Sequence, residues 1–135
     1  LEKLIKPQPV PDGDSYRFWE GCKEEKLLIQ KCNGCSKHIF YPRIICPHCS
    51  SEQIEWVESS GKGKVYSFTI ARRGGGPAFK DDAPYAVALI ELEEGVRMMS
   101  NIINVDVNNI QCDQQVEVVF VNEGEFTLPK FQPIS

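Results

Sequence analysis

Histidine is almost absent from this sequence: His38 and His48 are the only two in 135 residues. Both lie beside cysteine pairs, and no serine or cysteine stands in a nucleophile motif. The groups that usually carry acid–base or covalent catalysis are therefore not assembled in any recognisable pattern, and independent catalysis is not expected. Long apolar runs are missing too. No stretch approaches the roughly 18 apolar residues of a membrane span. The first residues, LEKLIKPQPVPDGD, offer no apolar signal core and no small-residue cleavage site, which points to a cytoplasmic protein. Acids are missing from residues 62–80, which hold Lys62, Lys64, Arg72, Arg73 and Lys80. Bases are nearly missing from residues 81–125, where ten acids face Arg97 alone. With a net charge of -4 the chain is a poor partner for a long polyanion, while its one basic segment suits a small anionic ligand. There are no internal repeats and no low-complexity tracts.

What is present is a globular composition, 41% hydrophobic and 25% charged, with six cysteines. Cys32, Cys35, Cys46 and Cys49 form two CxxC pairs in the spacing C-x2-C-x10-C-x2-C. Zinc takes four soft donors in a tetrahedron, and each CxxC knuckle turns two sulfurs toward one point. Asn33-Gly34 supplies the tight turn of the first knuckle and Pro47 stiffens the second. Disulfides or free thiols are the alternative, and iron in rubredoxin fashion is the alternative metal. Four thiolates fill the coordination sphere, so the ion is read as structural. His48, inside the second pair, is read as an exposed knuckle residue. Cys22 and Cys112 are read as buried thiols.

Proline at 7, 9 and 11 marks an extended arm. Asp12 or Asp14 then caps a helix over about residues 14–26, in which Tyr16, Trp19 and Cys22 follow helical spacing with Phe18 beside them. Short strands are expected at 27–31, around Phe40 and Tyr41, and at 54–57. Beyond Gly61, residues 63–73 alternate as a two-faced strand, with Tyr66, Phe68 and Ile70 on the core face. Residues 85–103 read as a hairpin turning at Glu94-Gly95, 116–121 as a further strand, and 127–131 as the strand that closes the sheet. About five strands with no helix between them make a small barrel the economical solution, because closure leaves no open edge. The division is an arm and helix at 1–26, a metal ribbon at 27–58 and a barrel at 59–135.

The runs FWEGCKEEKLLIQKCNGC, YPRIICPHC, GKGKVYSFTI, PYAVALIELEEGVRMMSNI and VEVVF with LPKFQP occur in that order over nearly the whole chain. Together they resemble the zinc-ribbon plus OB-fold family long catalogued as a domain of unknown function. The resemblance implies a mainly β protein with an N-terminal helix, a rubredoxin-like zinc ribbon and a C-terminal five-stranded OB-fold barrel. It also implies an accessory subunit of thiolases, HMG-CoA synthases, lipid-transfer-type aldolases or acyl-CoA hydratases, which helps form or hold a CoA channel. Two departures stand out. Family members tend to carry Gly after the second Cys of a knuckle, where this chain has Ser36 and Ser50. A Gly-Met-type turn commonly precedes the last strand, where this chain has Gln111-Cys112-Asp113.

An acyl-CoA ligand fits the basic segment. Arg72, Arg73 and Lys80 flank the Gly74-Gly75-Gly76-Pro77 loop, whose backbone N–H groups can approach phosphates while arginine forks grip them. Phe79 is placed to pack on the adenine or the pantetheine arm, and Arg43 is a further candidate where ribbon and barrel meet. The alternative for the loop is an ordinary hairpin connection with solvated charges; on the ligand reading the CoA-contacting set is Arg43, Arg72, Arg73, Gly75, Phe79 and Lys80. The competing reading is a single-stranded nucleic-acid binder, with Tyr66 and Phe68 as stacking groups beside Arg72 and Arg73. A core role for Tyr66 and Phe68 and the acidic balance of the chain both weigh against it.

Overall fold

The computed structural model describes residues 13, 15–72, 84–123 and 126–134. Among the described residues one α-helix, α1 (Tyr16–Lys23), precedes eight strands. These are β1 (Leu28–Cys32), β2 (His38–Ile39), β3 (Ile54–Glu58), β4 (Lys62–Ala71), β5 (Tyr85–Leu92), β6 (Arg97–Ile102), β7 (Gln115–Glu123) and β8 (Phe126–Pro133).

Eight residues are too few for a helix to hold in water on propensity alone, so α1 depends on its docking face. Phe18 and Cys22, one turn apart, are that face, and Tyr16 points to solvent. The expected helix of 14–26 is therefore shorter, and the expected Tyr16–Trp19–Cys22 stripe is displaced. The Asp12 and Asp14 caps fall outside the described residues; Ser15 occupies the N-cap. The C-terminus closes as a Schellman motif. The Lys26 N–H donates to the Gly21 carbonyl at 2.8 Å, the Glu25 N–H donates to the Cys22 carbonyl at 3.0 Å, and Glu25 takes a left-handed φ of 60°.

The first sheet has the order β2-β1-β3, all antiparallel. The strand expected around Phe40 and Tyr41 ends one residue earlier, at Ile39, because the chain turns inward there to reach buried Pro42. The second sheet closes as a barrel, β4-β5-β6-β8-β7, with β4 pairing β7. β5 alternates strictly: Ala86, Ala88, Ile90 and Leu92 face inward. The Glu94-Gly95 turn joins β5 to β6, with Gly95 at φ 95°.

β4 breaks the expected alternation. Val65 pairs with Ile90 and Ser67 with Leu89, so Tyr66 is the extra residue of a bulge. A bulge resets the two-residue period. Val65 is thus fully buried, Phe68 and Ile70 pack on the core, and Tyr66 stands outside, 45% exposed, with the Arg97 guanidinium 3.8 Å from its ring centre. Tyr66 is not a core residue.

Ribbon and barrel share one buried cluster. Phe18, Cys22, Leu27 and Ile29 join Val65, Ile90, Leu92, Val116 and Phe131 in it. Each such aliphatic or aromatic side chain contributes about 1.5–3 kcal/mol on burial. Trp19 also reaches Phe126 of the barrel, ring centres 6.2 Å apart. The joint itself is fixed by hydrogen bonds. The Glu94 carboxylate accepts from the Ser59 hydroxyl at 2.8 Å and from the Ser60 N–H at 2.9 Å, while the Ser59 N–H donates to the Leu27 carbonyl. Gly61 follows at φ 77°, where a Cβ would lie 2.5 Å from Val118 Cγ1.

Candidate metal centre and its surroundings

The turns after β1 and after Pro42 bring four thiols together. The sulfurs of Cys32, Cys35, Cys46 and Cys49 all lie within 4.8 Å of one another. Cys32 and Cys49 are 3.5 Å apart, and Cys35 and Cys46 are 3.7 Å apart. A tetrahedron with metal–sulfur bonds of about 2.3 Å has edges of about 3.8 Å, so the arrangement fits one ion. Each knuckle aims a backbone N–H back at its first sulfur: Gly34 N–H at Cys32 (3.3 Å) and His48 N–H at Cys46 (3.4 Å). Such bonds favour thiolate over thiol. The charge balance agrees. The Cys35 N–H, foremost, holds the Cys32 thiol down at about 6, with the Gly34 N–H and the Cys49 and Cys46 thiols acting the same way. At Cys49 the Ser51 N–H also favours ionisation, but the proximity of Cys32, burial and the two other thiols together push it to about 12. Four sulfurs this close cannot all ionise without a cation among them.

The residues that follow the knuckles explain the first family departure. Ser36 and Ser50 take φ values of 64° and 63°, a left-handed conformation that glycine adopts freely. Their N–H groups donate to the Cys32 and Cys46 carbonyls, at 2.8 and 2.9 Å. His48 is exposed and His38 half-buried, and neither belongs to the sulfur cluster. Cys22 is buried, and that burial pushes its thiol up to about 12. Cys112 is exposed, contrary to expectation, because its turn, with Asp113 at φ 65°, lies outside the barrel wall.

A buried glutamine positions the segment between the knuckles. Gln30 is 4% exposed, and its side chain donates to the Arg43 carbonyl at 2.9 Å and accepts from the Arg43 N–H at 2.7 Å. It stands in for the strand partner that the chain loses after Ile39. Sequence reasoning did not single out Gln30; its place on β1 directly after the apolar run Leu27-Leu28-Ile29 was the available signal. Gln30→Ala is expected to leave both Arg43 backbone groups without partners and to lower stability by about 1–3 kcal/mol, with metal content unchanged. Urea denaturation alongside elemental analysis checks both halves of that expectation.

The candidate CoA residues are divided by the structure. Arg43 is exposed on the ribbon, and Arg72 is exposed just past the end of β4. Arg73, Gly75, Phe79 and Lys80 lie outside the described residues.

Comparison with known proteins agrees with the geometry. Residues 19–55 match the family described as the ChsH2 rubredoxin-like zinc ribbon domain, and residues 56–121 the ChsH2 C-terminal OB-fold domain. A DUF35 domain-containing scaffold protein of Methanothermobacter thermautotrophicus is 38% identical over 109 residues, which are 79% of this chain and 81% of that protein. The chain belongs to the DUF35 family. A chain of the solved Ltp2-ChsH2(DUF35) aldolase superimposes with a TM-score of 0.84 at 35% identity, covering 93% of this DUF35 chain and 98% of that one. A probable enoyl-CoA hydratase alpha subunit of Thermomonospora curvata is 36% identical over 132 residues, 97% of this chain but only 41% of that subunit. The DUF35 chain thus spans well under half the length of that relative. A benzoylsuccinyl-CoA thiolase subunit BbsA of Geobacter metallireducens is 32% identical over 91 residues, 65% of this chain and 57% of that subunit. Among the described residues no helix is long and apolar enough to cross a membrane.

Proposed function

We propose that this DUF35 chain is a non-catalytic accessory subunit of a CoA-processing enzyme, docking on a thiolase-like partner and helping to form its CoA site. The observation that carries this reading is the likeness, over nearly the full length of both chains, to the DUF35 chain of an aldolase complex. The names of the hydratase and thiolase subunits support the same class of chemistry.

The division of labour follows from the chain's own groups. Cys32, Cys35, Cys46 and Cys49 hold a zinc ion that has no open coordination position and serves as a structural staple. The partner supplies the reacting groups. Arg72 with Arg73, and Arg43 on the ribbon, supply positive charge for the CoA phosphates, and Gly75, Phe79 and Lys80 complete the same contact. Preformed contacts of this kind raise the effective concentration of the thioester beside the partner's chemistry.

The test is to purify the tagged chain from its host, identify the CoA-processing subunit that accompanies it, and titrate CoA into the complex. The Arg72→Ala, Arg73→Ala pair is expected to weaken CoA binding by about 10- to 100-fold, two charge-assisted contacts being removed. Unchanged affinity removes the loop from the site. A chain that brings down no such subunit, and instead shifts single-stranded nucleic acid at physiological salt, overturns the whole reading. One observation favours that second reading: Tyr66 is on the barrel surface, where a base could stack. Arg97 already covers its ring and pairs with Glu91 at 3.7 Å, and a single platform is a weak track for a strand.

A further inference from the structure

The four sulfurs of the ribbon are not equally protected. Cys32 and Cys46 are buried, Cys35 is half-buried and Cys49 is exposed. His48 and Ser50, on either side of Cys49, are exposed as well. A sulfur that ligates an ion is a thiolate. With the ion in place all four are therefore in the nucleophilic form, and access decides which of them meets an oxidant first. Cys112 is exposed too, but among the described residues it belongs to no such cluster.

The exposed sulfur has a partner within reach. Cys49 lies 3.5 Å from Cys32, across from the second knuckle to the first, and Cys35 and Cys46 form the other cross-knuckle pair at 3.7 Å. A disulfide needs about 2.05 Å, a gap that small side-chain rotations can close. The backbone holds the knuckles in the same register. Cys32 pairs with Ile54 at the end of β1, the Asn33 N–H donates to the Gln53 carbonyl at 2.8 Å, and the Cys46 N–H donates to the Ser51 carbonyl at 2.9 Å. A Cβ on Gly34 would lie 3.1 Å from the Ser51 side chain, so the two knuckles are close to touching there.

We infer that Cys49 is an oxidation site through which a peroxide discharges the ion, with Cys32 as the thiol that resolves it into a disulfide. In the first step the Cys49 thiolate attacks one peroxide oxygen. The S–O bond forms, the O–O bond breaks, the sulfur is oxidised by two electrons to the sulfenic acid, and hydroxide leaves. In the second step the Cys32 thiolate attacks the Cys49 sulfur. The S–S bond forms, the S–O bond breaks and a second hydroxide leaves; solvent protons turn both hydroxides into water. Cys35 and Cys46 are then the only donors left, too few for an ion that takes four. A thiol reductant returns both thiolates. The inference rests on the structural-ion reading above and adds that the staple responds to oxidant.

The test loads the full chain with zinc, measures zinc per chain, and then adds a stoichiometric amount of hydrogen peroxide. A chromogenic chelator reads the zinc set free, while alkylation and peptide mapping locate the oxidised cysteines. Peroxide is expected to release the zinc, and the first disulfide is expected to join Cys32 to Cys49. Reductant with added zinc is expected to restore the metal. Cys49→His keeps a fourth donor of a kind zinc accepts but removes the exposed sulfur. It is expected to slow release by about 10-fold or more. Cys35→His, at a less exposed ligand, and Cys112→Ala are expected to release at the parent rate. A first disulfide that leaves out Cys49 or joins it to Cys46 overturns the inference and leaves the structural ion standing. Release from Cys49→His as fast as from the parent does the same, and so does zinc retained while Cys112 is oxidised. Where a histidine variant takes up no zinc, the mapping on the parent chain decides. A parent chain that holds no zinc before peroxide is added overturns the ion reading and this inference together.

Discussion

Cys46→Ala is expected to release the metal and to unfold the N-terminal half of the protein. Structural zinc contributes on the order of 10 kcal/mol in small ribbons that have little core of their own. The second cluster here contains only Cys32, Ile39 and Cys46 as buried members, so burial cannot replace the ion. The loss is comparable to the whole stability of a domain of this size, about 5–15 kcal/mol. Tryptophan fluorescence separates the two halves, because Trp19 and Trp56 are the only tryptophans and both lie on the helix and ribbon side. The fluorescence transition is expected to move down by tens of degrees, with metal per chain falling from about one toward zero. The shared cluster carries part of that loss into the barrel, so circular dichroism of the strands should soften in parallel. Cys112→Ala, at an exposed turn, is the matched control and should change neither quantity. Full metal content in Cys46→Ala by elemental analysis would sink the four-cysteine assignment.

Gly63→Ala is expected to cost the barrel about 3 kcal/mol or more. Gly63 pairs with Leu92 on one side and Val116 on the other, at the seam where β4 joins β5 to β7. A Cβ there would press into the Glu91 carbonyl oxygen and lie 3.1 Å from Leu92 Cα. Those are backbone atoms of a paired strand, with no flexible tip to swing aside, so the strands must separate or the barrel must distort. The midpoint of thermal unfolding should fall by about 10 °C. Gly13→Ala, whose Cβ meets nothing within 4 Å, should leave it in place. A Gly63→Ala protein as stable as the parent in urea would show that the seam relaxes freely.

Metal ribbon and barrel were legible in the sequence for different reasons. The four cysteines carry their chemistry in their spacing, which survives any detail of packing. The hairpin at Glu94-Gly95 and the strict alternation of β5 carry theirs in local turn chemistry and a two-residue period. Tyr66 was misplaced because a bulge depends on the partner strand: nothing local distinguishes the extra residue from its neighbours, and everything before it changes face. Cys112 was misplaced because a lone cysteine carries no pattern, and its exposure follows from the turn around Asp113. Gln30 was missed because its value lies in two hydrogen bonds to Arg43, thirteen residues away. Conversely, the serines at 36 and 50, visible only as departures from a family habit, gained a physical meaning once their φ angles were known.

Those two serines have a consequence for how the chain can vary. Each left-handed non-glycine residue costs about 1–2 kcal/mol, small beside the contribution of the ion. While metal is plentiful, changes of this size in the knuckles are masked, and the ribbon can accumulate them without visible loss. In a metal-starved cell the mask is lifted. Variants that looked equivalent would separate by the strain in their knuckles, and a chain with glycine at both positions would be the last to fail.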